Sequence, residues 1–316
     1  MLYNFDIEGG VLRERAEQAS DVTALESARW IDLVAPDEQE LALLNSMHGG
    51  WLPDIEDVEE IEASARFFVD EQGIHVHSLF LYQSEGRHRT TTVAFVLSSD
   101  QLVTVRDNEI ADFRLMRMRA RRGWVKVDDP FDILLRVLEQ KVENMADNLE
   151  NIHRQLENVS QMVLEDETSQ MEEAIDRLAK LEDNNGKTRL CLMDTQRSIS
   201  FLQRHLRNDV ERRATCLEMQ HDLETLMTHT NFLFEKINFL MDTAQGFINI
   251  EQSQIIKTFS IAAVVFLPPT MVASVYGMNF RLMPELDWAL GYPFALLLMF
   301  LSGLAPFLYF KYKGWL

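Results

Sequence analysis

Two stretches near the C-terminus hold no charged residue: Thr258 to Tyr276 (TFSIAAVVFLPPTMVASVY) and Tyr292 to Phe310 (YPFALLLMFLSGLAPFLYF). Each is 19 residues long, about 28 Å as a helix, which just crosses a hydrocarbon core of roughly 30 Å. As two buried core helices they would form a hairpin with almost nothing polar to cover it, so the sequence predicts a membrane pair. The connecting loop is short, which puts both ends of the pair on one side. Lys257, Lys311 and Lys313 flank the membrane on that side, against Arg281 alone in the loop. The positive-inside rule then places both termini in the cytoplasm and the loop outside.

The first apolar stretch carries Pro268-Pro269 near its middle. Two successive prolines remove backbone donors and free carbonyls, which in a membrane need neighbouring protein or a water-filled path. Ser260, Ala262, Ala263, Ala273 and Ser274 in the same stretch allow close helix packing. Both features suit a helix inside an assembly. One hairpin cannot enclose a pore, so an ion path requires several copies, each giving its first membrane helix to the centre.

Upstream, the pattern is helical back to about residue 108. Asp129 before Pro130 is an N-cap and first-turn proline. Beyond it Leu138, Val142, Met145, Leu149, Ile152, Leu156, Val159 and Val163 step by alternating fours and threes, a coiled-coil seam on a helix from 130 to 164. Ser169 and Glu172 have the spacing of a capping box for a second helix, about 170 to 206, with a kink expected at Asn185-Gly186. After a polar break at Asn208-Asp209, Leu223, Leu226, Thr230, Leu233, Ile237, Leu240, Ala244 and Phe247 resume the seam, and nothing stops it before the membrane. The expectation is one helix from about 210 to 276, a stalk.

Residues 1 to about 107 alternate as strands do: Arg29 to Val34, Ser64 to Val69, Ile74 to Tyr82, Thr91 to Leu97 and Gln101 to Arg106, with turns at Glu71-Gln72-Gly73 and Ser98-Ser99-Asp100. Short helices are expected near 37 to 48, 53 to 61 and 109 to 121. The predicted class is an α+β membrane protein, with an N-terminal α/β domain built on a mixed sheet and long helices behind it. The expected divisions are 1–128, 129–208, 209–257, 258–276, 277–291, 292–310 and 311–316.

Charge follows the same division. The first 257 residues carry 48 acids against 27 bases, and the last 59 carry a net +1. Such an excess argues against a nucleic-acid partner and suits a surface that concentrates cations. Cys191 and Cys216 have no ligand spacing, so neither a disulfide framework nor a thiolate site is expected. Met1 to Gly10, with Asp6 and Glu8, lacks the pattern of a cleavable signal.

At the outer end of the first membrane helix stands Tyr276-Gly277-Met278-Asn279-Phe280, followed by Met283-Pro284-Glu285-Leu286 and Trp288. Here the chain resembles the CorA family of magnesium transporters, whose signature is Tyr-Gly-Met-Asn after the first of two C-terminal membrane helices. The MPEL loop, the stalk and the tail KYKGWL match as well. Magnesium keeps its water and prefers octahedral oxygen ligands. Neutral amide oxygens of Asn279, helped by the Gly277 carbonyl, could bond the ion's water shell without stripping it. A glycine helix C-cap is the plain structural alternative at Gly277.

The resemblance implies a funnel-shaped homopentamer in the bacterial inner membrane, with Gly277, Met278 and Asn279 as an outer selectivity ring for hydrated divalent cations. It implies that Thr270, Leu267, Ala263, Phe259, Ile256, Ser253, Asn249, Gln245 and Asp242 line the pore, with Leu267, Phe259 and Ile256 as apolar constrictions. Mg2+ is the implied cargo and regulator, with Co2+ and Ni2+ as further cargo. The regulatory ligands are unassigned. Ser253 stands where relatives often have Asn, and Arg281 where they often have Glu, leaving Glu285 and Asp287 as the loop's acids.

Two other readings compete: a zinc transporter of the ZntB type, and a two-span sensor that conducts nothing. No Walker motif or nucleophile–base constellation points to an enzyme. His75 and His77 share a strand face without a third ligand in view, which favours a structural role. Arg114, Arg117 and Arg121 share a helix face and are expected to pair internally or between subunits.

Overall fold

The computed structural model describes residues 1–15, 22–48, 66–164, 171–206, 209–279, 283–284 and 287–315. By contacts the chain forms two compact units, Met1–Glu165 with Glu172–Met241, and Asp166–Met171 with Asp242–Leu316.

The first unit is built on a mixed seven-stranded sheet in the order β2-β1-β3-β7-β6-β5-β4. Its strands are β1 (Leu2–Glu8), β2 (Val11–Glu14), β3 (Trp30–Val34), β4 (Phe67–Val69), β5 (Ile74–Ser84), β6 (Arg87–Leu97) and β7 (Leu102–Arg106). All pairings are antiparallel except β3 with β7. The hairpin of β1 and β2 was not among the expected strands. Its residues mix charge with apolar side chains, and the signal lies instead in Gly9-Gly10, both at positive φ in the tight turn. Strands β5 and β6 are longer than expected for a related reason. Glu85 and Gly86, at φ 51° and 74°, form a two-residue turn that pairs Ser84 with Arg87 and extends the ladder through polar residues.

The turn at Glu71-Gln72-Gly73 is present. The Asp70 carboxylate accepts from the N–H groups of Gln72 and Gly73 at 2.9 and 3.2 Å. Only glycine fits the third position, because a Cβ there would stand 2.1 Å from the Leu97 carbonyl oxygen.

One sheet face buries Ile31, Leu33, Ala94, Val96, Val103 and Val105 with Leu25 of α1 (Val22–Ser27) and Leu44 of α2 (Glu38–His48). A reciprocal box starts α2: Glu40 N–H donates to the Asp37 carboxylate at 2.7 Å, and Asp37 N–H to that of Glu40 at 3.2 Å. The other face carries Phe5, Trp30, Phe80 and Phe95 against Phe113 of α3 (Ala111–Arg121). Asp32 lies on this second face, fully buried. It accepts from Arg106 Nη2 at 3.0 Å, Arg117 Nη1 at 2.7 Å and Thr104 Oγ1 at 2.7 Å. Burial alone would raise its pKa, but the two guanidiniums and the threonine hold it below the ordinary carboxylate value. Arg117 is thus paired internally, and Arg121 pairs with Glu14, whereas Arg114 is exposed.

Three long helices follow: α4 (Pro130–Leu164), α5 (Met171–His205) and α6 (Val210–Tyr276). Asp129 caps α4 by accepting from Asp132 N–H at 3.1 Å, and Asp209 caps α6 by accepting from Arg212 N–H at 3.0 Å. All eight expected seam residues of α4 are buried, each contributing about 1.5–3 kcal/mol. Helix α5 runs without interruption through Asn185 and Gly186. Asn185 serves as a tie to α6, its Nδ2 donating to the Thr230 carbonyl at 3.0 Å. A second polar group is buried where α4 and α5 meet the sheet: Lys141 Nζ donates to Ser78 Oγ at 2.8 Å, and Ser78 Oγ to Asp194 Oδ2 at 2.6 Å. The expected helix at 53 to 61, strand residues 64 and 65, and the Ser169 capping box lie outside the described residues.

In the second unit, α6 continues to Tyr276 and is followed by α7 (Gly291–Tyr312). At 67 residues, α6 is roughly 100 Å long.

Candidate ion pathway

The apolar windows of α6 and α7 are only 6 % buried. Core helices would be mostly covered by protein, so exposed apolar surface on this scale calls for lipid or further copies of the chain. This disposes of the reading as two buried core helices.

Within α6, the nine expected pore positions Asp242, Gln245, Asn249, Ser253, Ile256, Phe259, Ala263, Leu267 and Thr270 are all exposed. Their spacing of three and four keeps them on one stripe. Ile261, Val265 and Pro269 each stand two residues from a stripe member, about 200° round the helix and hence opposite. Ile261 is buried and the other two are half-buried. They meet α7. A Cβ placed on Gly303 would lie 3.1 Å from Pro269 Cγ and 3.4 Å from the Val265 carbonyl oxygen. Pro269 cannot donate to the carbonyl four residues back, so Val265 is the acceptor it frees. Glycine lets α7 approach closely enough for its α-carbon to face that oxygen. Gly303 was not anticipated as a key residue; its signal is a glycine among bulky apolar neighbours.

Nearer the cytoplasmic end expected for the span, Ser253, Ile256, Lys257, Ile261, Phe310 and Trp315 border a surface cavity of about 450 Å³. Lys257 Nζ stands 5.9 Å from the Trp315 ring centre, and Trp315 stacks on Phe310 at 5.6 Å. An aromatic–lysine group of this kind suits a membrane interface.

At the other end of the stripe, Gly277, Met278 and Asn279 are exposed. Gly277 N–H still donates to the Ala273 carbonyl at 2.9 Å, and Met278 N–H to that of Val275 at 3.3 Å. Gly277 is not among the glycines at positive φ, so the left-handed cap is not what it supplies. The three residues extend from the helix C-terminus, where the backbone dipole is negative and favours a cation. Thr270 donates back to the Phe266 carbonyl at 2.7 Å. Asp287 is exposed, whereas Arg281 and Glu285 lie outside the described residues.

For regulation, the acidic first unit offers no ready cage within one chain. Among the described residues no group of three or more His, Cys, Asp or Glu side chains is arranged to hold a metal ion. His75 Nε2 is bonded to Asp70 Oδ1 at 3.0 Å and its ring stacks on Phe68. His77 is buried, and burial, then the charges of His75 and Arg66, push its pKa down to about 4. His75 is thus tied to the β4–β5 turn through Asp70, and His77 is packed into the domain interior.

The sequence profile of the family described as "CorA-like Mg2+ transporter protein" matches residues 26–312. The chain is 46 % identical to the magnesium transport protein CorA of Salmonella typhimurium and to that of Escherichia coli K12, over 318 aligned positions covering 100 % of each protein. Its structure is similar to the complete CorA magnesium transporter of Methanocaldococcus jannaschii, with a TM-score of 0.76 at 18 % identity over 100 % of this chain and 99 % of that one.

Proposed function

Because the chain belongs to the CorA family of magnesium transporters, we propose that it carries Mg2+ into the cell through a passage lined by one face of α6 from each of five copies. The stripe of nine exposed residues from Asp242 to Thr270, opposite the α7 contact, is the observation that carries this reading. Full-length identity to magnesium transport proteins favours magnesium over the zinc-transporter alternative.

In this reading the amide oxygens of Asn279, with Met278 and the Gly277 carbonyl beside them, form the outer ring. They hydrogen-bond the ion's first water shell, so the ion enters still hydrated. Neutral donors hold it loosely enough for passage to continue. Thr270, Ser253 and Asp242 are polar stations below, and Leu267, Phe259 and Ile256 are apolar constrictions where water can be expelled to close the path. Glu285 and Asp287 draw cations to the mouth. Inward movement needs no nucleotide, since an inside-negative potential supplies roughly 4.6 kcal/mol per 100 mV for a divalent ion. Co2+ and Ni2+ are carried as further cargo. Both termini face the cytoplasm of the inner membrane, and Mg2+ bound between cytoplasmic domains of neighbouring copies holds the closed state.

Fluorescent Mg2+ indicators trapped in proteoliposomes test this directly. Uptake should rise with inside-negative potential and fall at least tenfold in Asn279→Ala. Uptake indifferent to potential, or unchanged in that variant, would overturn the reading.

A further inference from the structure

Away from the membrane helices, two histidines on different helices face each other. His153 of α4 and His229 of α6 have ring centres 5.8 Å apart with their planes inclined by 54°. Phe232 walls the pair, its ring 6.3 Å from His153 and 6.5 Å from His229. His153 Nδ1 is buried with no hydrogen-bond partner, and its Nε2 lies 3.5 Å from Glu157 Oε1. Glu150 and Glu157 bracket His153 at three residues before and four after, on the same helix face. Burial, and then the His153 charge, lower the pKa of His229 against the pull of Glu150. The neutral imidazole, the form that binds metals, is thus favoured at His229.

We propose that His153 and His229 form a two-imidazole site for a transition-metal cation, Zn2+, Co2+ or Ni2+, that bridges α4 to α6 and that Mg2+ does not fill. Imidazole nitrogens bind such a metal at about 2.0–2.1 Å, which puts two ring centres roughly 5.2 Å apart around a tetrahedral ion. The observed 5.8 Å matches two imidazoles at a somewhat wider angle about the metal. Fewer than three protein ligands converge here among the described residues, so water completes the shell. Mg2+ demands oxygen ligands in an octahedron and gains little from imidazole. The site is separate from the proposed pore. Its occupancy would fasten α6, the helix that continues into the first membrane span, to the cytoplasmic unit.

Full-length protein in detergent, stripped with chelator, is titrated calorimetrically with Zn2+ in a millimolar Mg2+ background. One Zn2+ per chain should bind, and both His153→Gln and His229→Gln should weaken that binding tenfold or more. No binding, displacement by Mg2+, or equal binding in both variants overturns the proposal. If a glutamine variant fails to fold, the unaltered chain still decides. Zn2+ should protect His153 and His229, among the eight histidines, from diethylpyrocarbonate as read by mass spectrometry, and equal modification with and without Zn2+ overturns it.

Discussion

Gly303 lies against Pro269, so close that a Cβ on the glycine would stand 3.1 Å from the proline Cγ. The same spot faces the Val265 carbonyl that Pro269 leaves without its helical donor. Proline pair and glycine are therefore one device on two helices. Gly303→Ala should cost about 1–3 kcal/mol by overpacking, read as a lower thermal midpoint in detergent. Gly303→Leu should separate the helices and abolish Mg2+ uptake; uptake at the unaltered rate would show that the contact is dispensable.

Polar substitution in the apolar part of the stripe tests which ring closes the path. Phe259, Leu267 and Ile256 are 73 %, 68 % and 65 % exposed in the single chain, so replacing one should cost the fold little. Serine at the closing ring should raise Mg2+ leak severalfold when internal Mg2+ is high, because a polar ring no longer expels water. Serine at the other two should leave the leak low. Three silent variants would mean that closure lies elsewhere.

Asp32 neutralises two arginines that are themselves buried. Asp32→Asn leaves the two arginines only the half-exposed Glu109 as counter-charge and should destabilise the first unit by about 3 kcal/mol, measurable by urea denaturation. Mg2+ flux per folded molecule should remain, since the residue is remote from the stripe in sequence and function. A variant as stable as the parent would show that the arginines find other partners.

Two buried groups outside the membrane impose opposite pH dependences. Burial pushes the Asp112 carboxyl up to about 6, only partly offset by its hydrogen bonds and by Lys141 and Arg106. One of its oxygens has no partner, and the other accepts from Asn144 at 3.2 Å. Its folded pKa exceeds the unfolded one, so its contribution to stability is present below about pH 4 and lost as pH rises through 6. His77 is the reverse. Its folded pKa of about 4 lies below the ordinary imidazole value of 6.5, so stability is lost as pH falls through that window. Each effect is worth at most roughly 3 kcal/mol, and together they nearly cancel. Asp112→Asn should remove one arm, so that the thermal midpoint climbs steeply from pH 4 to 6.5 and exceeds the parent's at pH 7. A flat profile in the variant would show that His77 does not titrate as its burial implies.

What could be read from the sequence was what local rules govern. The cap at Asp129, the α4 seam and the charge-free spans each follow from residues within a few positions of one another, and all are present. The parallel pairing of β3 with β7 joins strands some seventy residues apart, and no periodicity encodes it. At Asn185-Gly186 the helix is not interrupted, and Asn185 there reaches across to α6. Of the candidate site, the stripe on α6 was legible because a helix maps spacing directly onto a face. The proposed ring of Asn279 rests instead on the family resemblance, because it depends on copies of the chain that one sequence does not contain.

Helix α6 is unbroken from Val210 until its ladder meets Pro268. Up to that point every residue after the first turn can donate to the carbonyl four back, so the ladder has no missing bond. The first place able to yield is the proline pair. That pair sits near the middle of the span and beside the Gly303 contact, so it is there that the helix can bend.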